Sequence, residues 1–235
     1  MIDIGLLASM AIVLIVPAVF VRAWPDSAVA TGLIDATSGA LLIGVAVGRL
    51  AAVAIDDPGS LTSLSDLLII RSGVEFWPGV AAGVGWIAFR ARQDHVSPAE
   101  RLAAITTSAL VAWACYEATC LLRDGCPGPV SRFGLRPDGL VQRMLPIGLG
   151  VAAAAAGAAA LVRRWHRRGL PDLQVIGAAM VALAAIRSVA SIWLPHIGDG
   201  LTRQHRTSIA VAIVSSVGLV ALRVRAQSTA ATVDP

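Results

Sequence analysis

Lysine is absent from this chain. All 19 basic residues are arginine, and charged side chains of either sign make up only 14% of the 235 residues, against about 25% in an ordinary soluble domain. With 56% of residues hydrophobic, so little charge excludes a water-soluble fold that covers its own core. Cysteine is scarce as well: Cys115, Cys120 and Cys126 fall in one short stretch and form no C-x2-C pair. A zinc site and a dithiol redox motif are therefore not expected. The N-terminus has no basic leader and no small-residue cleavage site, and it runs from Met1 into an apolar stretch ending at Val21 and Arg22. That pattern fits a retained first span. An isoelectric point near 9.7 raises nucleic-acid binding, but the arginines cluster at the ends of apolar runs. The preference of membrane proteins for positive cytoplasmic loops accounts for them, and no nucleic-acid partner is expected.

What the chain does have is apolar length. A span takes about 20 mostly apolar residues, and such runs lie at about 3 to 22, 33 to 54, 76 to 90, 101 to 122, 143 to 162, 173 to 194 and 207 to 223. The expectation is an all-α, polytopic membrane protein of about seven transmembrane helices, forming a single domain over residues 1–235. Arg22, Arg90, Arg92, Arg101, the 163–168 group, Arg223 and Arg225 fall on one side. The arginines of the other side are fewer and diluted by acidic residues such as Asp56, Asp57 and Glu75. The N-terminus is thus expected outside and the C-terminus in the cytoplasm.

Two arginines interrupt apolar runs: Arg49 in GVAVGRLAAVAI and Arg187 in VALAAIRSVASIW. An ionisable group inside a span costs about 2.5 to 3.5 kcal/mol at its centre even on the lenient scale, and it normally faces protein or a wet cavity. Arg49 is near enough to a span end to snorkel instead, whereas Arg187 is expected deeper. Asp35 and Glu117 are the acidic counterparts, and a structural ion pair is an open alternative for all four. Small residues recur four apart in Gly44-Val-Ala-Val-Gly48 and Gly79-Val-Ala-Ala-Gly83, a spacing that lets helices approach closely in lipid. The tract from Val151 to Ala160, VAAAAAGAAA, is expected as a packed or lipid-facing helix wall without chemistry.

Four stretches in order resemble the bacterial prolipoprotein diacylglyceryl transferase family. Gly48-Arg49-Leu50 with Asp57-Pro58 is similar to its G-[GA]-R-[IL]-G-Y…P segment. Gly73-Val-Glu-Phe-Trp-Pro-Gly-Val-Ala-Ala82 is similar to G-M-S-F-H-G-G-L-I-G. Cys120-Leu-Leu-Arg-Asp-Gly-Cys-Pro-Gly128 resembles N-F-I-N-G-E-L-W-G and a cysteine-bearing variant, C-F-L-x-G-C-C-Y-G. Ile186-Arg187-Ser188 before Trp193 falls where the family has F-R-x-x-x-E-F-F-R, and residues 204–208 resemble G-Q-x-x-S. The motif positions carried over are Gly48, Gly73, Trp77, Gly79, Cys120, Asp124, Gly125, Cys126 and Gly128. The departures are Trp77 at the motif histidine, Pro78 at the glycine after it, Glu117 at an arginine and Cys120 at an asparagine. Arg123 or Asp124 stands at the second asparagine.

The resemblance implies a multi-pass protein of the bacterial plasma membrane that moves a diacylglyceryl group from phosphatidylglycerol to the cysteine thiol of a lipoprotein signal peptide. Its partners would be phospholipid and such peptides, with no cofactor and no metal. The donor carries a phosphate, which the planar guanidinium grips in a bidentate way, so Arg49, Arg187 and Arg123 are the expected phosphate ligands. Arg187 and Glu117 are the expected catalytic pair. A buried, unpartnered Glu117 would have a raised pKa suited to a base, although a salt bridge to Arg187 or Arg49 is the simpler expectation. A catalytically diverged, lipid-binding subunit of the same fold is the alternative. His95 and His166 fall in cytoplasmic loops, and His196 and His205 are expected as solvated loop residues. Cys120 and Cys126 lie at an outer span end, where a disulfide and two free thiols are both open.

Overall fold

Apolar runs in a bilayer must satisfy every backbone N–H and C=O internally, which a helix does within one segment. The computed structural model describes residues 4–22, 32–59, 74–122, 126, 128–136, 141–193 and 202–231. Among the described residues the runs form seven α-helices: α1 (Ile4–Arg22), α2 (Leu33–Asp56), α3 (Phe76–Gln93), α4 (Pro98–Ala118), α5 (Ile147–Arg167), α6 (Asp172–Ala190) and α7 (Arg203–Ala231). Five are long and apolar enough to cross a membrane: α2, α4 continued through Leu122, α5, α6, and α7 over Arg203–Ala226. Burial is low in four of them, with 6% to 28% of the apolar window buried, and reaches 50% in α4. In α7 only 6% of the apolar window is buried, and Val214 and Val217 stand 70% and 64% exposed. Water would not tolerate so large an apolar surface on a monomer, and a hydrocarbon surround does.

Helix ends depart from the apolar runs where local chemistry decides them. The short third run extends to Gln93, with Arg90 and Arg92 in the last turn, where cations favour the negative end of the helix dipole. Pro78 lies in the first turn of the same helix, where a missing N–H is harmless. α5 stops at Arg167 because Gly169 takes a left-handed φ of 80°, the usual stop after a helix. After α4 a 3-10 turn spans Thr119–Leu122. The connection that follows holds an element absent from the sequence reading, the strand β1 (Val130–Leu135). Its Ser131 N–H donates to the Arg143 carbonyl at 2.9 Å, and the Leu145 N–H donates to the Pro129 carbonyl at 2.9 Å.

The chain divides into two compact units, Pro25–Leu102 and the remainder, Met1–Trp24 with Ala103–Pro235. The first unit holds α2 and α3, packed together through glycine. A methyl group on Gly79 would lie 2.7 Å from the Gly44 carbonyl oxygen, and one on Gly83 would lie 3.3 Å from the Ala40 carbonyl oxygen. Only hydrogen fits at the first of these, so the four-residue glycine spacing does set the helix approach. The turn leading out of α3 is tied by Arg101, 1% exposed, whose Nη2 lies 3.0 Å from Asp94 Oδ2.

In the second unit α5 packs on α6, and α6 on α7. Its core joins Leu110, Trp113 and Ala114 of α4 to Val151, Ala155, Ala159 and Val162 of α5, and to Val175 and Ala179 of α6. Spacings of three and four put the α5 residues on one helical face. The alanine tract is therefore a packed wall on that face, while Ala156 and Ala160 of the same tract remain exposed.

Candidate functional site

The motif residues of the first unit meet where α2 and α3 cross. The Glu75 N–H donates to the Gly48 carbonyl at 2.9 Å, and a methyl group on Gly48 would lie 2.7 Å from the Glu75 carbonyl oxygen and 3.5 Å from the Gly79 Cα. Gly48 and Gly79 thus serve close backbone contact. Arg49 is 8% exposed and Glu75 8%, so Arg49 is buried and does not snorkel. Asp35 is exposed at the first turn of the same helix. Fourteen residues of helix separate it from Arg49, about 21 Å of axial rise, which is too far for a direct pair between these two. Trp77, at the motif histidine, packs its ring edge-on to Phe76 at 5.1 Å. An indole has no basic nitrogen, so this position offers no proton acceptor. Gly73 lies outside the described residues.

In the second unit Glu117 is half-buried, and its Oε1 accepts from Trp113 Nε1 at 3.0 Å. The indole N–H is neutral, so this contact is a hydrogen bond and not an ion pair. Just beyond, Cys120 and Cys126 form a disulfide with 5.0 Å between Cα atoms, and both are buried. Bonded sulfur is neither nucleophile nor acid, so Cys120 has no thiol chemistry in this state. A methyl group on Gly148 would lie 2.8 Å from Cys120 Sγ, so the disulfide end of α4 is seated against the start of α5. Gly128 backs onto the Leu145 carbonyl. Arg123, Asp124 and Gly125 lie outside the described residues. Cys115 is a free cysteine.

Arg187 differs from its expected depth. It occupies the last turn of α6, because the helix closes at Ala190 although the apolar run continues to Trp193 and beyond. Half-buried there, it donates from Nη2 to Gln204 Oε1 of α7 at 3.4 Å. Of the two intrahelical arginines, Arg49 is therefore the more enclosed. Beside Arg187 lies a polar group that the sequence reading placed in solvent: His205 is only 7% exposed and Ser191 9%, and His205 Nδ1 pairs with Ser191 Oγ. Ser191 Oγ is 2.8 Å from the Ser188 carbonyl. A hydroxyl has one proton, so donating it to that carbonyl leaves Oγ to accept from Nδ1–H, and the basic lone pair then sits on Nε2. Thr202 Oγ1 accepts from the His205 N–H at 3.1 Å, and Ser208, 1% exposed, follows one turn later.

A fixed cation and an imidazole with one nitrogen tied thus stand together at the junction of α6 and α7. The sequence signal for this cluster was the Gln204 to Ser208 segment. Hydropathy alone gave His205 to a loop, since it lies in the polar flank of the last run. No group of three or more His, Cys, Asp or Glu able to hold a metal occurs among the described residues. No family model matches the sequence, and no curated protein matches it. The structure on its own defines an all-α chain with several helices suited to a membrane.

Proposed function

We propose that this chain is a multi-pass protein of the bacterial plasma membrane that works as a diacylglyceryl transferase of the prolipoprotein type, crossing the bilayer seven times with its N-terminus outside. Seven helices lying on the seven apolar runs support the number of crossings. The arginine asymmetry supports the orientation. In this reading Arg187 holds the phosphate of phosphatidylglycerol in the outer leaflet. The thiol of the acceptor peptide loses its proton to His205 Nε2, its sulfur forms a bond to the glyceryl carbon, and the bond from that carbon to the phosphate oxygen breaks. Glycerol phosphate leaves. The observation that carries the reading is the exposed Arg187–Gln204 hydrogen bond, which joins the end of α6 to the start of α7 beside the buried Ser191–His205 pair, because a cation next to an imidazole offers a phosphate ligand and a proton acceptor together. Glu117 takes no proton here and serves to hold Trp113.

A second reading, a lipid-binding subunit without turnover, is favoured by Trp77 and by the disulfide that occupies Cys120. One assay divides them. Purified protein with radiolabelled phosphatidylglycerol and a lipobox peptide is expected to give labelled peptide. Retained lipid without labelled peptide establishes the second reading, and neither lipid nor label rejects both. Arg187→Ala is expected to lower bound phosphatidylglycerol while leaving the helix content unchanged, and Arg187→Lys to restore it in part, since a point charge lacks the bidentate fork.

A further inference from the structure

The opposite end of the second unit carries a feature that the transferase reading does not use. A cleft of about 540 Å³ opens at the C-terminal end of α5, within the range of about 300 to 1,000 Å³ usual for small-molecule sites. Its inner wall is apolar and built from small groups: Val111 of α4 with Ala156, Ala159 and Ala160 of α5. Its rim carries Arg163, Arg164, Arg167 and Arg168, with Phe20 of α1 beside them and no carboxylate in the lining. The guanidinium carbon of Arg163 stands 5.0 Å above the centre of the Phe20 ring, a cation–π contact that holds this arginine over the cleft. Asp172, the nearest acid along the chain, lies 3.8 Å from His166 Nε2.

Positive loops and the helix dipole both favour cations at this helix end, yet both would be satisfied by arginines fanned into water. Neither calls for an apolar slot beneath them. Arg163 and Arg167, and Arg164 and Arg168, are each four residues apart, a spacing at which like charges on a helix repel. An anion between them removes that repulsion. The slot takes a tail and the rim takes a phosphate, so the complementary ligand is amphiphilic and negatively charged.

We propose that this cleft is a binding site for an anionic phospholipid of the facing leaflet, with the phosphate among Arg163, Arg164, Arg167 and Arg168 and one acyl chain along Ala156 and Ala160. The site is separate from Arg187 and does not depend on the transferase reading. In the proposed orientation it faces the cytoplasmic leaflet.

The test uses the delipidated full-length chain, observed by native mass spectrometry with phosphatidylglycerol, with phosphatidylcholine and with inorganic phosphate. Arg164→Gln/Arg168→Gln is expected to weaken phosphatidylglycerol about 30-fold, the effect of two arginine charges at a lipid surface. Ala156→Phe/Ala160→Phe fills the slot at two exposed positions and keeps all four arginines. It is expected to lose the same one lipid, with unchanged helix content by circular dichroism, whether or not Arg187 is present. Equal binding of the two lipids by the parent chain overturns the proposal. So does full phosphatidylglycerol binding by the slot-filled variant, and so does displacement of the lipid by millimolar inorganic phosphate, which would mark a soluble-anion site.

Discussion

At the scale of single residues, His205 is where burial and hydrogen bonding assign a chemical state. With Nδ1 tied to Ser191 Oγ, the ring orientation is fixed and Nε2 is the nitrogen left to take a proton. Asparagine keeps an N–H near the Nδ1 position and has no basic nitrogen. In the proposed transferase reading, His205→Asn is therefore expected to fold with an unchanged melting temperature and to lower transfer to a lipobox peptide by about 10² to 10⁴, the usual contribution of a positioned base. Full activity in this variant removes His205 from the mechanism. Arg49 and Arg187 were legible in the sequence because an ionisable group in an apolar run stands out against its neighbours. Their relative depth was not, because hydropathy carries the sixth run past Trp193 while the helix closes at Ala190. His205 and Arg101 were illegible for a related reason. Each lies in a polar flank, and only the packing of a neighbouring segment makes it one of the buried side chains.

At the scale of elements, the α2–α3 pair shows how far a spacing rule reaches. Gly44, Gly48, Gly79 and Gly83 were readable as a close-approach pattern, and the backbones do meet there, whereas Gly85 of the same helix has nothing within 4 Å of where a methyl group would stand. The two positions predict opposite signs. Gly79→Ala drives a methyl group towards the Gly44 carbonyl and is expected to destabilise by about 1 to 3 kcal/mol, the range for overpacking. Gly85→Ala meets no obstacle and is expected to stabilise by up to about 1 kcal/mol through helix propensity. Thermal unfolding of both variants in the same detergent measures the difference, and equal melting temperatures would refute the glycine contact. The strand Val130–Leu135 was not readable in the same way. It pairs with a segment around Met144, and nothing in six residues containing Arg132 and Gly134 announces a partner that far along the chain.

At the scale of the whole molecule, the helices repeat the order of the apolar runs, and sidedness rests on charge. Single cysteines in a cysteine-free chain test it in intact cells with an impermeant maleimide. Asp57→Cys is expected to be labelled directly, and Gln93→Cys and Leu170→Cys only after the membrane is opened. The reverse pattern would invert the chain. The bond between Cys120 and Cys126 carries a consequence of its own for that geography. Such bonds persist in oxidising compartments and are reduced in the cytosol, so the far end of α4 keeps it only if that end is delivered across the membrane to where electrons are withdrawn from thiols. With the proposed orientation, maturation of this chain takes two stages, insertion followed by oxidation. In the proposed orientation, a cell short of thiol oxidant would accumulate an inserted precursor in which Cys120, at the end of α4, is not yet joined to Cys126.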